Sequence, residues 1–207
     1  MNNVKSKSKI TERLFKGAIM LIFISSCSNY IPKPKGYLRF DLPEKEYQLF
    51  DSVCPFKFEY PLYGKMIPNE KGYCWYDLYF PQYSSTIYLS YNPINNNFAQ
   101  LLDDTHEFLY RHSVKADAIE EQFVQNKHNI AGLLFDIGGN AASSVQFFVT
   151  DSINHFLRGS LYFYSTPNRD SLAPLINFFR EDIERLMLTV EFKTTVPVKQ
   201  NNKLSTN

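Results

Sequence analysis

The stretch from Ile130 to Tyr164 constrains the fold of this chain more than any other. Ile130 to Ile137 is an apolar run of strand length, and Gly138-Gly139-Asn140 ends it with the residues a tight turn needs. Ala142 to Thr150 then returns with Val145, Phe147 and Val149 on one face. Asp151 to Asn154 turns the chain again, and His155 to Tyr164 carries Leu161 and Phe163 on one face and Tyr162 on the other. Links this short join strands only in antiparallel sense, because a parallel return needs a crossover of a dozen or more residues. The segment reads as an antiparallel meander.

Alternation also marks three strands further upstream. Phe56, Phe58, Tyr60 and Leu62 share a face between Cys54 and Leu62, with Lys57 and Glu59 opposite. Tyr73 to Phe80 places Cys74, Tyr76, Leu78 and Phe80 on one side and Asp77 on the other. Thr86 to Tyr91 aligns Ile87, Leu89 and Tyr91, and Pro81 to Ser85 is short enough to make a hairpin with the preceding strand. Glu44 to Ser52 shows no period and reads as loop, Tyr37 to Phe40 as a short strand ended by Leu42-Pro43, and Ala118 to Gln125 as a further strand.

Two helices separate these runs. Asn95-Asn96-Asn97 is an entry signal, since asparagine side chains accept from the free amides of a first turn. Phe98, Leu101, Leu102, Thr105, Phe108, Leu109 and His112 follow at helical spacing, with Asp103, Asp104, Glu107 and Arg111 on the wet side. After Thr166-Pro167, a second helix starts at Asp170-Ser171-Leu172-Ala173-Pro174, with the proline in a first turn that wastes its donor anyway. Its stripe is Leu172, Leu175, Ile176, Phe179, Ile183, Leu186, Met187 and Val190, and Glu181 with Arg185 forms an expected surface pair. The order β-β-β-α-β-β-β-β-α predicts an α+β class: a twisted antiparallel sheet of about seven strands covered by two helices. By element order alone it is similar to the Mog1/PsbP-like fold, an analogy that carries no function.

Cys54 and Cys74 fall on the apolar sides of their strands, which favours a bond between them. Register opposes it: in a simple hairpin Cys74 would face Pro61, leaving Cys54 about 20 Å away at about 3.3 Å per residue. Either the bond exists and the two strands are not hairpin neighbours, or two thiols are buried in the sheet.

The amino terminus decides where this domain resides. Lys5, Lys7, Lys9, Arg13 and Lys16 precede Gly17 to Ile24, a run of apolar and small residues far short of the roughly 20 that cross a bilayer. Ile24-Ser25-Ser26-Cys27 follows, in the order aliphatic, small, small, cysteine, which resembles the bacterial lipobox. That resemblance implies a signal peptide over 1–26, and a diacylglycerol on the Cys27 sulfur after which cleavage makes Cys27 the first residue. Residues 27–36 read as a tether: Pro32 and Pro34 keep it extended, and Lys33 and Lys35 keep it solvated beside anionic head groups. Residues 37–192 are expected to form one α+β domain, and 193–207 a disordered polar tail.

Cleavage before Cys27 would take five of the 22 Lys+Arg and one of the 21 Asp+Glu, leaving 17 against 20 and moving the net charge from +1 to −3. A weakly acidic body lacks the concentrated basic surface that a nucleic-acid partner requires. Aromatic residues make up 16% of the chain, enough that some rings are expected at the surface as contact sites. With Cys27 acylated, Cys54 and Cys74 would be left in an oxidising compartment, where paired cysteines tend to bond.

The sequence holds no GxSxG elbow, Gly-rich phosphate loop or metal-spaced Cys/His set. His106 and His112 are six apart, about 240° around a helix, whereas a zinc-protease helix needs a spacing of four. Asp103-Asp104 and Glu120-Glu121 read as solvated charges, and His128 and His155 as structural histidines. Cys54 and Cys74 lack a CxxC spacing, so a redox enzyme is not indicated. No catalytic residue, metal or cofactor is expected.

Several long phrases carry a resemblance to a known family. PKPKGYLRFDLPEKEYQLFD (Pro32 to Asp51), SYNPINNN (Ser90 to Asn97), HSVKADAI (His112 to Ile119), SSVQFFVTDSINHFLRGSLYF (Ser143 to Phe163) and PNRDSLAPLINFFREDI (Pro167 to Ile183) closely resemble the gliding-motility lipoprotein family GldD of the Bacteroidota. The resemblance runs from the lipobox to about Phe192. It implies an envelope lipoprotein required for gliding, working with other gliding and type IX secretion envelope proteins; Cys27 matches the lipidated position, and no catalytic residues carry over.

Two classes of function remain. One is a non-catalytic assembly or stabilising component touching other envelope proteins. The other is a ligand-binding or enzymatic module acting on peptidoglycan, glycan or exported polypeptide, with Trp75, Tyr76 and the polar sheet face as its platform. A deep pocket of converging polar groups would favour the second, and a shallow apolar patch the first. Arg39 and Arg158 are the charges singled out as partner-binding candidates, against a reading as solvent-facing ladder positions. The chain shows no acidic run after Cys27, which suggests a periplasm-facing domain.

Overall fold

The computed structural model describes residues 41–112, 116–164 and 169–193. Outside them lie the Ile24–Cys27 motif, the tether over 27–36, the strand expected at Tyr37–Phe40 with Arg39, Thr166-Pro167 and the tail beyond Lys193.

Among the described residues, five strands precede the first α-helix: β1 (Tyr47–Asp51), β2 (Phe56–Pro61), β3 (Lys65–Asn69), β4 (Trp75–Phe80) and β5 (Ser85–Pro93). Then come α1 (Phe98–His112), β6 (Ile119–Gln125), β7 (Ala131–Ile137), β8 (Ser143–Thr150), β9 (His155–Phe163), α2 (Arg169–Thr189) and β10 (Glu191–Phe192). The expected α+β class is present, with a seven-stranded sheet in the order β3-β4-β5-β9-β8-β7-β6, and with a second sheet in the order β1-β2-β10. All pairings in both sheets are antiparallel.

The meander forms as expected from β7 to β9, and Gly139 takes a positive φ of 78° in its first turn. Gly132 in β7 is required for a different reason: a Cβ there would lie 1.9 Å from the Phe148 carbonyl oxygen on β8. Three strands depart from expectation. β1 lies in the segment read as loop, β3 follows the first hairpin and β10 follows the helix expected to end the order; each is a short strand at one edge of its sheet, with Leu49 60% and Ile67 43% exposed. An edge strand paired on one side and wet on the other has no need of strict alternation.

One face of the large sheet meets α2 and the small sheet. Leu78, Phe80, Ile87, Leu89, Val145, Phe147 and Leu161 pack there with Phe56 and Phe58 of β2 and with Phe179, Ile183 and Leu186 of α2. At this interface Phe50, Phe56, Phe58 and Tyr76 form a ring cluster, with centroids 5.2 Å apart for Phe50–Phe58 and 4.8 Å for Phe50–Tyr76. The Cys54 and Cys74 sulfurs are joined at 2.04 Å, with their Cα atoms 5.7 Å apart. β2 and β4 are not the hairpin neighbours whose register would keep the cysteines apart: they belong to different sheets, so the bond ties one sheet to the other.

Two side-chain networks fasten α2. Asn126, in the turn after β6, donates to the Met187 and Val190 carbonyls and accepts from the His128 and Ile130 amides, which satisfies carbonyls exposed at the helix end. Asp182 accepts from Lys45 at 2.8 Å, Tyr47 at 3.0 Å and Tyr63 at 2.5 Å, and burial still pushes its carboxyl up. The helix starts at Arg169, so Pro174 is one turn deeper than expected and the Asp170 carbonyl loses its usual i+4 donor. The expected Glu181–Arg185 pair is replaced: Arg185 bonds Glu59 of β2 through Nε at 2.8 Å and a terminal nitrogen at 2.5 Å. A forked contact to a neighbouring strand wins over an exposed pair within one helix turn.

The opposite face of the large sheet is covered by α1 only over β7, β8 and β9, where Leu109 packs with Phe135, Ile137, Phe148 and Phe156. Asp103, Asp104, Glu107 and Arg111 are exposed as expected, and Thr105 is buried. At the helix start, Asn97 Oδ1 accepts from the Asn95 amide, not from the first-turn donor that the asparagine run was expected to serve.

Candidate functional site

Beside α1, this second face is open across β4, β5 and the adjoining part of β9. Strand alternation places Trp75 and Asp77 of β4, Tyr88 and Ser90 of β5, and Arg158, Ser160 and Tyr162 of β9 on that face. Register then aligns them in rows. Asp77 pairs with Tyr88 and Tyr88 with Ser160, while Ser90 pairs with Arg158. With Phe108 from α1 on one side and Asn69 and Lys71 on the other, they enclose a cleft of about 360 Å³.

The walls are fixed by contacts behind them. The Trp75 indole Nε1 donates to the Tyr91 carbonyl at 3.1 Å, and Gly72 lies so close to the indole that a Cβ there would come within 2.5 Å of it. Asn69 Nδ2 donates to Asp77 Oδ1 at 2.8 Å. The Tyr164 hydroxyl lies 2.9 Å from both the Thr86 Oγ1 and the Tyr88 hydroxyl, and the Tyr88 and Tyr162 rings meet edge to face at 5.6 Å. The hydrogen bond to Tyr164, together with burial, pushes the Tyr88 phenol up to about 12. Burial also raises the Tyr162 phenol, and the Arg158 charge works against that rise.

Arg158 is the centre of the floor. Its guanidinium stacks on Phe108, with Cζ 4.7 Å from the ring centroid. Burial pushes its pKa down from the usual value, and the Asp104 carboxylate on α1 opposes the shift. Guanidinium nonetheless stays charged in proteins. Arg158 makes no ion pair among the described residues. The next position beyond Ser160 in the same row is Gln146 of β8, 2% exposed, whose amide oxygen and nitrogen both lack a hydrogen-bond partner among the described residues.

Of the four residues singled out as partner-binding candidates, the structure brings two together. Trp75 and Arg158 line the same cleft. Tyr76 points the other way, as its parity with Cys74 requires: its ring is in the inter-sheet cluster and its hydroxyl is 3.8 Å from Cys54 Sγ. Two neighbours in a strand cannot form one platform. Arg39 lies outside the described residues. Arg158 is also not a freely solvated ladder cation, because Phe108 covers it. Asn69, Lys71, Tyr88, Ser90, Phe108 and Ser160 were not singled out from the sequence. The shared face of Tyr88 and Ser90 follows from parity, but their meeting with Ser160 depends on the β5–β9 pairing, which no local pattern encodes.

The other histidines and acids have structural surroundings. His155 is buried against Tyr91 and Phe192, and His128 Nε2 lies 3.5 Å from Glu191. Glu120 and Glu121 are exposed. Among the described residues no group of three or more His, Cys, Asp or Glu is placed to hold a metal, and no helix is long and apolar enough to cross a membrane.

No curated protein matches the chain. The family model described as gliding motility lipoprotein GldD matches residues 27–192, and the chain belongs to that family of membrane-anchored envelope lipoproteins associated with gliding motility.

Proposed function

We propose that this protein is held at the cell envelope by a lipid on Cys27 and serves gliding as a non-catalytic component that stabilises or assembles neighbouring envelope proteins. The observation that carries the reading is the coincidence of two boundaries: the family match begins at Cys27, the residue that closes the Ile24-Ser25-Ser26-Cys27 motif. The domain faces the periplasm in this reading, and its neighbours are the gliding and type IX secretion machinery. Replacing Cys27 by Ala in its own cell tests it. The variant should lose its acyl groups and retain residues 1–26, and cells should lose gliding, whereas an unacylated variant that supports normal gliding would refute the reading. Protease treatment of intact cells checks the orientation: the wild-type domain should survive, and its rapid loss would place it outside.

A second reading, binding of a ligand by the domain, is favoured by a specific observation. Trp75, Asp77, Ser90, Arg158 and Ser160 converge on one cleft of about 360 Å³, a half-open recess within the size range that small ligands occupy. The two readings are compatible, since a contact protein can take its cue from a bound molecule.

A further inference from the structure

We infer that the cleft beside α1 binds an acidic saccharide, a pyranose ring carrying a carboxylate, with Arg158 holding the carboxylate and Trp75 lying against the ring. This rests on the ligand-binding reading above and names the ligand class for that site.

The floor strands exclude a main-chain mode of binding. β4 is paired on both sides by β3 and β5, and β5 by β4 and β9, so an extended peptide lying over these floor strands finds no free edge there; the free edge of the sheet is β3, at the Asn69 rim. Recognition must come from side chains. Those present are an aromatic wall with hydroxyl, amide and carboxylate groups set between the rings, which suits a ligand with apolar faces and hydroxyls around its rim. Asp77 is an acceptor for hydroxyl donors and repels a polyanion. Arg158 and Lys71 against Asp77 leave one net positive charge, which matches a ligand with one acidic group at the floor.

Arg158 is prepared for a carboxylate. Its flat face is occupied by Phe108, so its N–H edge remains to make the forked pair that guanidinium forms with a planar anion. It sits in a partly desolvated recess with no carboxylate paired to it among the described residues. The unpartnered amide of Gln146, next in the row beyond Ser160, adds a second buried polar group adjoining the site.

Trp75 is the single tryptophan of the chain, so its fluorescence reports on this cleft directly. The acylated full-length protein in detergent is titrated with galacturonic acid and with its methyl ester, and separately with N-acetylmuramic acid and its methyl ester, to distinguish a uronate from a wall-type sugar acid. An acid in at least one pair should shift Trp75 emission and bind on the order of tenfold more tightly than its ester. Arg158→Gln should abolish that preference, bringing acid binding down to the level of ester binding in the same variant, and Arg158→Lys, which keeps the charge but not the fork, should recover it only in part. Equal binding of acid and ester overturns the assignment of a carboxylate ligand but leaves ligand binding standing. Failure of all four saccharides to bind overturns the ligand-binding reading as applied to sugars, and tighter binding of an acidic hexapeptide overturns the saccharide class.

Discussion

At the residue scale, His155 shows how a buried polar group makes the fold sensitive to pH. It is 4% exposed at the start of β9, its Nδ1 lies 2.7 Å from the Tyr91 hydroxyl, and Phe192 stacks on it at 4.8 Å. Burial raises the Tyr91 phenol, so the hydroxyl keeps its proton beside the imidazole. Burial likewise pushes His155 below its ordinary 6.5, and the Asp151 carboxylate opposes this more weakly. A depressed folded pKa means the unfolded chain takes up the proton first. Its stabilising contribution is then complete above pH 6.5 and is lost as pH falls through the folded value. Asp182 has the opposite sign: its carboxyl is raised above 3.8 by burial, so it favours the fold as pH falls through its own folded value. The urea midpoint should therefore be lower at pH 5 than at pH 8 in the wild type, and this drop should shrink in His155→Gln. An undiminished drop in that variant would show that another group is responsible.

At the element scale, the Cys54–Cys74 bond joins the small sheet to the large one beside the Phe50, Phe56 and Tyr76 rings. It closes a loop spanning 20 positions, for which chain-entropy arguments and measured losses give about 2–4 kcal/mol. Replacing both cysteines by Ser should lower stability by roughly that amount in denaturant titrations, and a loss under about 0.5 kcal/mol would mean that ring packing alone aligns the sheets. Much of this level was legible in the sequence. Leu78 with Phe80, Ile87 with Leu89 and Tyr91, and Val145 with Phe147 and Val149 share faces because strand parity is local. β1 and β3 were not legible, because short edge strands such as these owe their structure to the partner they pair with. The cleft was half legible: parity put Asp77 and Tyr162 on the polar side, but bringing Trp75 to Arg158 required knowing that β9 lies beside β5. The disulfide stayed open for the same reason, since its answer lay in which sheet each strand joins.

At the scale of the whole molecule, the large sheet has two unlike faces. One is sealed by α2 and the small sheet, and the other is part covered by α1 and part open as the cleft. In the reading proposed above, a lipid at Cys27 would hold this domain near a bilayer. The family places the chain among lipoproteins of gliding motility, and a membrane anchor at this cysteine is the premise from which the proposed location and role both follow. The most direct measurement is intact-mass and fragment mass spectrometry of the protein extracted from its own envelope. The account predicts a chain beginning at Cys27 and carrying acyl groups on that residue. A chain retaining residues 1–26 with an unmodified Cys27 thiol would contradict it.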